Sequence, residues 1–232
     1  MAITLQDSHV DGLAAATTHT IDLTGMSTGY AADDLLIVIV SIDYNSASNN
    51  FAGIDQSWIT MEEHYTDGGS QEAVYYKKAG SSSETSPIVS ITGSAELSYV
   101  VAAFRGVDTT TPIDISTTAS TWGDATDPTA PTITVAAGAV WIAVMGHDRN
   151  GVVSMGAGSA ALIGYGSNQC HAAMAYEVIP AGGATGTQVF DTDSTDPDGH
   201  ANSLSLAPAA AGGATPHGVF GLPFHGPFGG PI

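Results

Sequence analysis

Leu35-Leu36-Ile37-Val38-Ile39-Val40-Ser41-Ile42 decides the fold. Successive side chains of a strand point to opposite faces, and here both faces are apolar and rich in β-branched residues. Such a run predicts a central strand covered on both sides, closed by the polar stretch Asp43 to Asn50. Downstream, Trp58 to Tyr65, the Gly68-Gly69 turn and Ala73 to Lys78 predict an antiparallel hairpin. Pro87 to Thr92 reads as a short strand and Leu97 to Phe104 as a second buried one. The second half continues in the same idiom: Pro131 to Val135, Ala139 to Met145, Ala161 to Tyr165, Cys170 to Ile179, Thr187 to Phe190 and Asn202 to Leu206. No helical period persists beyond two turns, and no full-length internal repeat is visible. The expectation is an all-β, antiparallel, jelly-roll-like β-sandwich of roughly ten to twelve strands with an extended C-terminal tail.

Composition shifts near Pro208. Residues 1–208 are expected to form the sandwich domain, and 209–232 an Ala/Gly linker followed by a Gly/Pro/Phe-rich tail without a charged side chain. Prolines at 216, 223, 227 and 231 exclude a helix or a central strand there. The 232 residues carry 4 Lys plus Arg against 23 Asp plus Glu, a formal charge of −19. A surface of that sign repels phosphate, which argues against nucleic-acid partners and anionic membranes. No apolar run reaches the length of a membrane span, and the N-terminus lacks the basic and apolar regions of a signal peptide. Cys170 is alone, so no internal disulfide forms, and its apolar neighbours predict a buried, inert thiol.

Motifs for catalysis are missing: there is no G-x-S-x-G, and Ala161 occupies the third glycine position of a dinucleotide fingerprint at Gly156. Glu62 and Glu63 are adjacent, so on a strand they face opposite ways. A carboxylate dyad would have to assemble from separate strands. The eight histidines show no metal spacing, so a zinc site would likewise need distant strands. Asp191, Asp193, Asp196 and Asp198 form the one acidic cluster suited to calcium, although Asp196 stands where a calcium loop requires glycine and Asn202 where it requires Glu. No other cofactor is expected. Tyr44, Trp58, Tyr65, Trp122 and one of Tyr75 or Tyr76 are candidates for a sugar-stacking platform, whereas Trp141 is expected in the core.

Phe104-Arg105-Gly106-Val107-Asp108-Thr109-Thr110-Thr111-Pro112-Ile113-Asp114 resembles a signature of a jelly-roll-like sandwich domain found in phage virion proteins and bacterial surface proteins. Asp34 to Val38, Trp58 and Val74 to Ala79 match the same pattern in order, with a looser echo at Gly138 to Val144. The resemblance implies a non-enzymatic virion surface protein: a capsid decoration, head-fibre or tail-associated subunit. Its expected partners are copies of itself and other virion proteins, with host-surface glycans as a further class. The alternative is a carbohydrate- or calcium-dependent binding module of a surface or secreted protein. In the leading reading the tail is the clasp, through Val219, Phe220, Leu222, Phe224, His225, Phe228 and Ile232.

Overall fold

The structure, a computed structural model, describes residues 2–27, 29–43, 50–65, 71–116, 120–122, 127–147, 153–167, 169–192 and 199–210. The fold is an all-β antiparallel sandwich. Its first sheet holds β1 (Thr4–Thr20), β2 (Leu35–Ile42), β3 (Phe51–Ile54), β4 (Ile59–Tyr65), β5 (Gln71–Lys78) and β6 (Ile88–Arg105). The order across it is β1-β6-β2-β5-β4, with β3 also on β6.

The second half contributes β7 (Ile113–Ser116), β8 (Ser120–Trp122), β9 (Thr129–Ala130), β10 (Thr134–Val135), β11 (Ala139–His147) and β12 (Val153–Met155). It continues with β13 (Ala161–Ser167), β14 (His171–Ile179), β15 (Gly183–Ala184), β16 (Gln188–Thr192) and β17 (Gly199–Leu206). The second main sheet runs β13-β14-β11-β17-β7, with β8 on β17. Two small sheets, β12-β16-β9 and β10-β15, accompany it.

Each half of the chain therefore builds one sheet, and the two halves share a plan that the side chains conceal. Strand β2 lies between β5 and β6 as β11 lies between β14 and β17. Strand β4 pairs with β5 through Ile59↔Tyr76 and bulges between Thr60 and Glu62; β13 pairs with β14 through Ala161↔Tyr176 and bulges between Leu162 and Gly164. Ahead of β2, Asp33 at φ 71° donates its N–H to Ala79 O at 2.8 Å. Ahead of β11, Gly138 at φ 78° donates to Ile179 O at 2.9 Å. Four strands of each half thus repeat one pairing plan beneath a sequence that shows no full-length repeat. Backbone hydrogen-bond plans survive side-chain divergence because they ask only for alternation and a few turns.

Three apolar layers follow from alternation along the central strands. Leu35, Ile37 and Ile39 face between the sheets, where they meet Val140, Ile142, Val144, Met174, Leu204 and Leu206. Leu36, Val38 and Val40 face the other way, onto Ile21, Leu23, Trp58, Tyr75 and Tyr99. Trp141, Ala143 and Met145 form the third layer with Phe190, Val153 and Ile133. Every residue of β2 and β11 is buried, as the two-faced apolar run required. Each fully buried Leu, Ile or Val contributes about 1.5–3 kcal/mol relative to exposure.

Two elements differ from expectation. The 17-residue β1 was not legible as a strand, and the two predicted strands at 87–92 and 97–104 are one, β6, of 18 residues. One edge closes by close approach: a side chain at Gly164 would strike Val10, and one at Gly166 would strike the backbones of Asp11 and Tyr99. Glycine there lets β13 lie directly on β1 and β6.

Candidate functional site

The residues from Phe104 to Ile113 form the corner that carries the chain from the first sheet to the second. Arg105 grips Asp34 through two charge-assisted bonds, Nε to Oδ1 at 2.9 Å and Nη2 to Oδ2 at 2.7 Å. Asp34 is buried, and its Oδ2 also accepts the Ala31 N–H at 2.8 Å. Gly106 turns at φ 85°, where a side chain would meet Ala2 O at 2.6 Å. Asp108 Oδ1 accepts the N–H groups of Thr110 and Thr111 at 2.7 and 3.1 Å, which hold its carboxyl below the usual range. The final stretch returns to this corner: Asp108 N–H donates to Ala207 O at 2.8 Å, Ala209 N–H to Gly106 O at 2.8 Å, and Val107 bridges Pro208. Every one of these residues does a folding task.

The described cations gather at the same end, each against a carboxylate: Lys77 with Glu84 at 2.6 Å, Lys78 with Asp33 at 2.8 Å, and Arg105 with Asp34. Two grooves open here. One is lined by Asp33, Leu35, Lys78, Val107 and Pro112, the other by Ala32, Asp34, Arg105, Gly106 and Ala209.

The opposite end of the sandwich holds the chemistry that sequence reading could not assemble. Between the sheets, Asn202 Nδ2 donates to Glu62 Oε1 and, at 3.3 Å, to Glu72 Oε1. Glu62 Oε2 lies 3.2 Å from His64 Nε2, and the His64 ring stacks on His200 with centroids 5.7 Å apart. Glu72, Asn202 and His200 are buried, whereas His64 and Glu62 keep partial exposure, 20% and 10% of their side chains. Burial, reinforced by the neighbouring Glu62 charge, pushes the Glu72 carboxyl well above the ordinary range, against the Gly146 amide that lowers it. Gly146 makes room: a side chain there would stand 2.9 Å from Glu72 Cβ. On the outer face of the second sheet, His147 and His171 sit directly opposite on β11 and β14, buried and stacked at 6.0 Å, with Tyr165 edge-on to His171. Ser41, Ser98 and Cys170 complete this end, Ser98 Oγ donating to Cys170 O at 2.7 Å.

The internal repeat supplies a control for what this end of the fold needs. The pair His147↔His171 corresponds to Ile42↔Gln71 in the first half. By the same registers Glu72 corresponds to Ala172, Asn202 to Val100, His200 to Ser98 and His64 to Gly166. The same backbone thus folds with uncharged residues, apolar or small except for Gln71, where the cluster has histidine, glutamate and asparagine. Buried ionisable groups cost free energy relative to apolar ones of similar size. A fold requirement does not explain the cluster.

The candidates read from sequence fare unevenly. Cys170 is buried and Trp141 is core, as expected, and of Tyr75 and Tyr76 it is Tyr75 that is fully buried. Trp58 is also buried among the residues under the first sheet, which removes it from any stacking platform. Tyr44 and the side chains of Tyr65 and Trp122 lie outside the described residues. Asp191 is exposed near the end of β16, while Asp193, Asp196 and Asp198 lie outside the described residues, as do Val219, Phe220, Leu222, Phe224, His225, Phe228 and Ile232. Among the described residues no three His, Cys, Asp or Glu side chains are placed to hold a metal ion. The Glu62–Glu72 pair is the dyad from separate strands left open by the sequence, but Glu72 is sealed inside. The missed signal was parity: Glu72 and Asn202 fall on the inward face of strands that further along send Val74, Leu204 and Leu206 inward. No family model, curated protein or solved structure matches the chain.

Proposed function

We propose that this protein is a non-enzymatic structural subunit of a surface assembly of the virion type, joined to copies of itself and to other assembly proteins through its C-terminal segment. The observation that carries the reading is the fixed exit of the chain. Bonds of Ala207, Pro208 and Ala209 to the 106–112 corner lock the last strand, so the segment beyond Ala210 departs from one place beside the paired cations. That segment holds Val219, Phe220, Leu222, Phe224, Phe228 and Ile232 and no charge. It can approach surfaces that would repel the acidic body. Its prolines lower the entropy lost on docking. At about 3.3 Å per residue, an extended segment of this length reaches a neighbouring subunit.

The test is removal of residues 211–232, which leaves the Ala209–Gly106 bond intact. The expected product is a folded sandwich, with unchanged β-sheet circular dichroism, that runs as a monomer in light scattering where the full chain assembles. Unchanged assembly of the truncated chain overturns the proposal.

A further inference from the structure

We propose that Glu62, Glu72 and Asn202, brought together between the sheets from β4, β5 and β17, form a binding site for a divalent cation of the calcium type. The inference stands on this cluster and on the internal repeat, not on the assembly role.

All three side chains carry oxygen, the donor a hard cation takes. At the corresponding positions of the repeat stand Gly164, Ala172 and Val100, none with a side-chain oxygen. Within the cluster, acceptors outnumber donors. One amide group, Asn202 Nδ2, serves both Glu62 Oε1 and Glu72 Oε1, while Asn202 Oδ1, buried in the same layer, meets no donor among the described residues. Leaving a buried oxygen in that state is costly. A half-turn of the Asn202 amide exchanges Oδ1 for Nδ2 and turns three oxygens on one point, an arrangement that a cation favours.

The spacing fits calcium. Ligands at 2.3–2.6 Å and roughly right angles stand about 3.3–3.7 Å apart, whereas those of magnesium stand about 2.9 Å apart. Asn202 Nδ2 lies 3.3 Å from Glu72 Oε1. Two carboxylates also balance a double positive charge. The set differs from the groups of three His, Cys, Asp or Glu that the described residues lack, because an amide supplies the third oxygen. The side chains of His64 and Glu62 keep 20% and 10% exposure, so the mouth lies on β4. His64 Nε2, 3.2 Å from Glu62 Oε2, steadies that carboxyl and leaves Oε1 to the ion. A body of charge −19 concentrates divalent cations around the mouth.

The experiment uses the full chain, stripped with EDTA and titrated with calcium chloride, with magnesium chloride at equal ionic strength as reference. In urea unfolding at pH 7.5 the folding equilibrium constant is expected to rise about tenfold per tenfold rise in free calcium above the dissociation constant. Asp191→Asn, exposed near the end of β16, is expected to keep that response. Glu62→Gln and Glu72→Gln are each expected to need at least tenfold more calcium for it. A flat wild-type response, an equal response to magnesium, or a wild-type response in either glutamine variant overturns the site. Should a variant not fold, backbone amide NMR of the wild type decides. Calcium is expected to shift the signals of residues 62–65, 71–73 and 200–203 and to leave those of 35–37 and 102–104, at the Arg105 end, in place. Equal shifts at both ends, or shifts confined to the surroundings of Asp191, overturn the proposal.

Discussion

Arg105, the last residue of β6, clasps Asp34, the residue before β2, through both of its carboxylate oxygens. The two partners are unequally exposed: the Arg105 side chain is 44% accessible and that of Asp34 is 2%. Only Asp34 also holds the Ala31 N–H. Asp34→Ala is therefore expected to destabilise more than Arg105→Ala. The loss of a buried acceptor alone costs about 1–3 kcal/mol, and the larger fall in denaturation midpoint for Asp34→Ala is the check.

Gly106 and Gly29 separate backbone strain from collision. Both have positive φ, 85° and 75°, yet only at Gly106 would a side chain strike backbone, that of Ala2, while Gly29 faces open space. Alanine in the left-handed region costs about 1–2 kcal/mol on its own. Gly29→Ala is expected to lose about that much and Gly106→Ala clearly more, with the N-terminal residues of β1 losing protection in hydrogen exchange. Equal losses would show that Ala2 yields freely.

Two buried phenols set the alkaline limit. Burial raises Tyr99 to about 12 and carries Tyr75 further above the ordinary value, Glu63 adding to the latter. A raised folded value means that the native state keeps protons the unfolded chain releases. Stability is therefore full below pH 10 and lost as pH climbs toward 12. Tyr99 hydroxyl accepts the Asp22 N–H at 3.1 Å, so Tyr99→Phe trades a bond for a shallower alkaline decline. Thermal melts at pH 9 to 11 with absorbance at 295 nm check this: in the wild type the tyrosinate signal of these two rings arrives with unfolding.

How much of this was legible divides along one line. Signals confined to a few neighbouring residues were readable: the two-faced run of β2, the hairpin of β4 and β5, and the turn chemistry of Gly106 and Asp108. Strand β1 was not, because its residues are exposed or half-buried except at His19 and its alternation is broken by three register shifts against β6. The cluster was less readable still. Asn202 and Glu72 are 130 residues apart, and their contact depends on two registers and on the packing of two sheets. Alternation assigns each residue to a face, but nothing local says which faces meet.

The cluster's stability ledger gives the last prediction. Burial pushes the Glu72 carboxyl well above its ordinary 4.5, so as pH rises past that value the fold keeps an affinity for the proton that the unfolded chain has lost, at a cost in stability. Glu72→Gln keeps the shape and removes that cost, so it is expected to be more stable than the wild type at pH 7. The advantage shrinks as pH falls toward 4.5 and is gone below it. Asn202→Val does the reverse, because it strips the amide from two carboxyls and leaves Glu72 buried beside Glu62, a loss of about 1–3 kcal/mol. Replacing all three, Glu62→Leu, Glu72→Met and Asn202→Val, recreates the apolar inward face that Val100 and Ala172 provide at the corresponding positions of the repeat. Such replacements of buried ionic sets are neutral or stabilising by roughly 1–4 kcal/mol. Urea unfolding at pH 7 and 5 of the three variants checks the signs. If the triple variant were the least stable of the set, the cluster would be a structural element of the fold, and the repeat would be no guide to what that end of the sandwich requires.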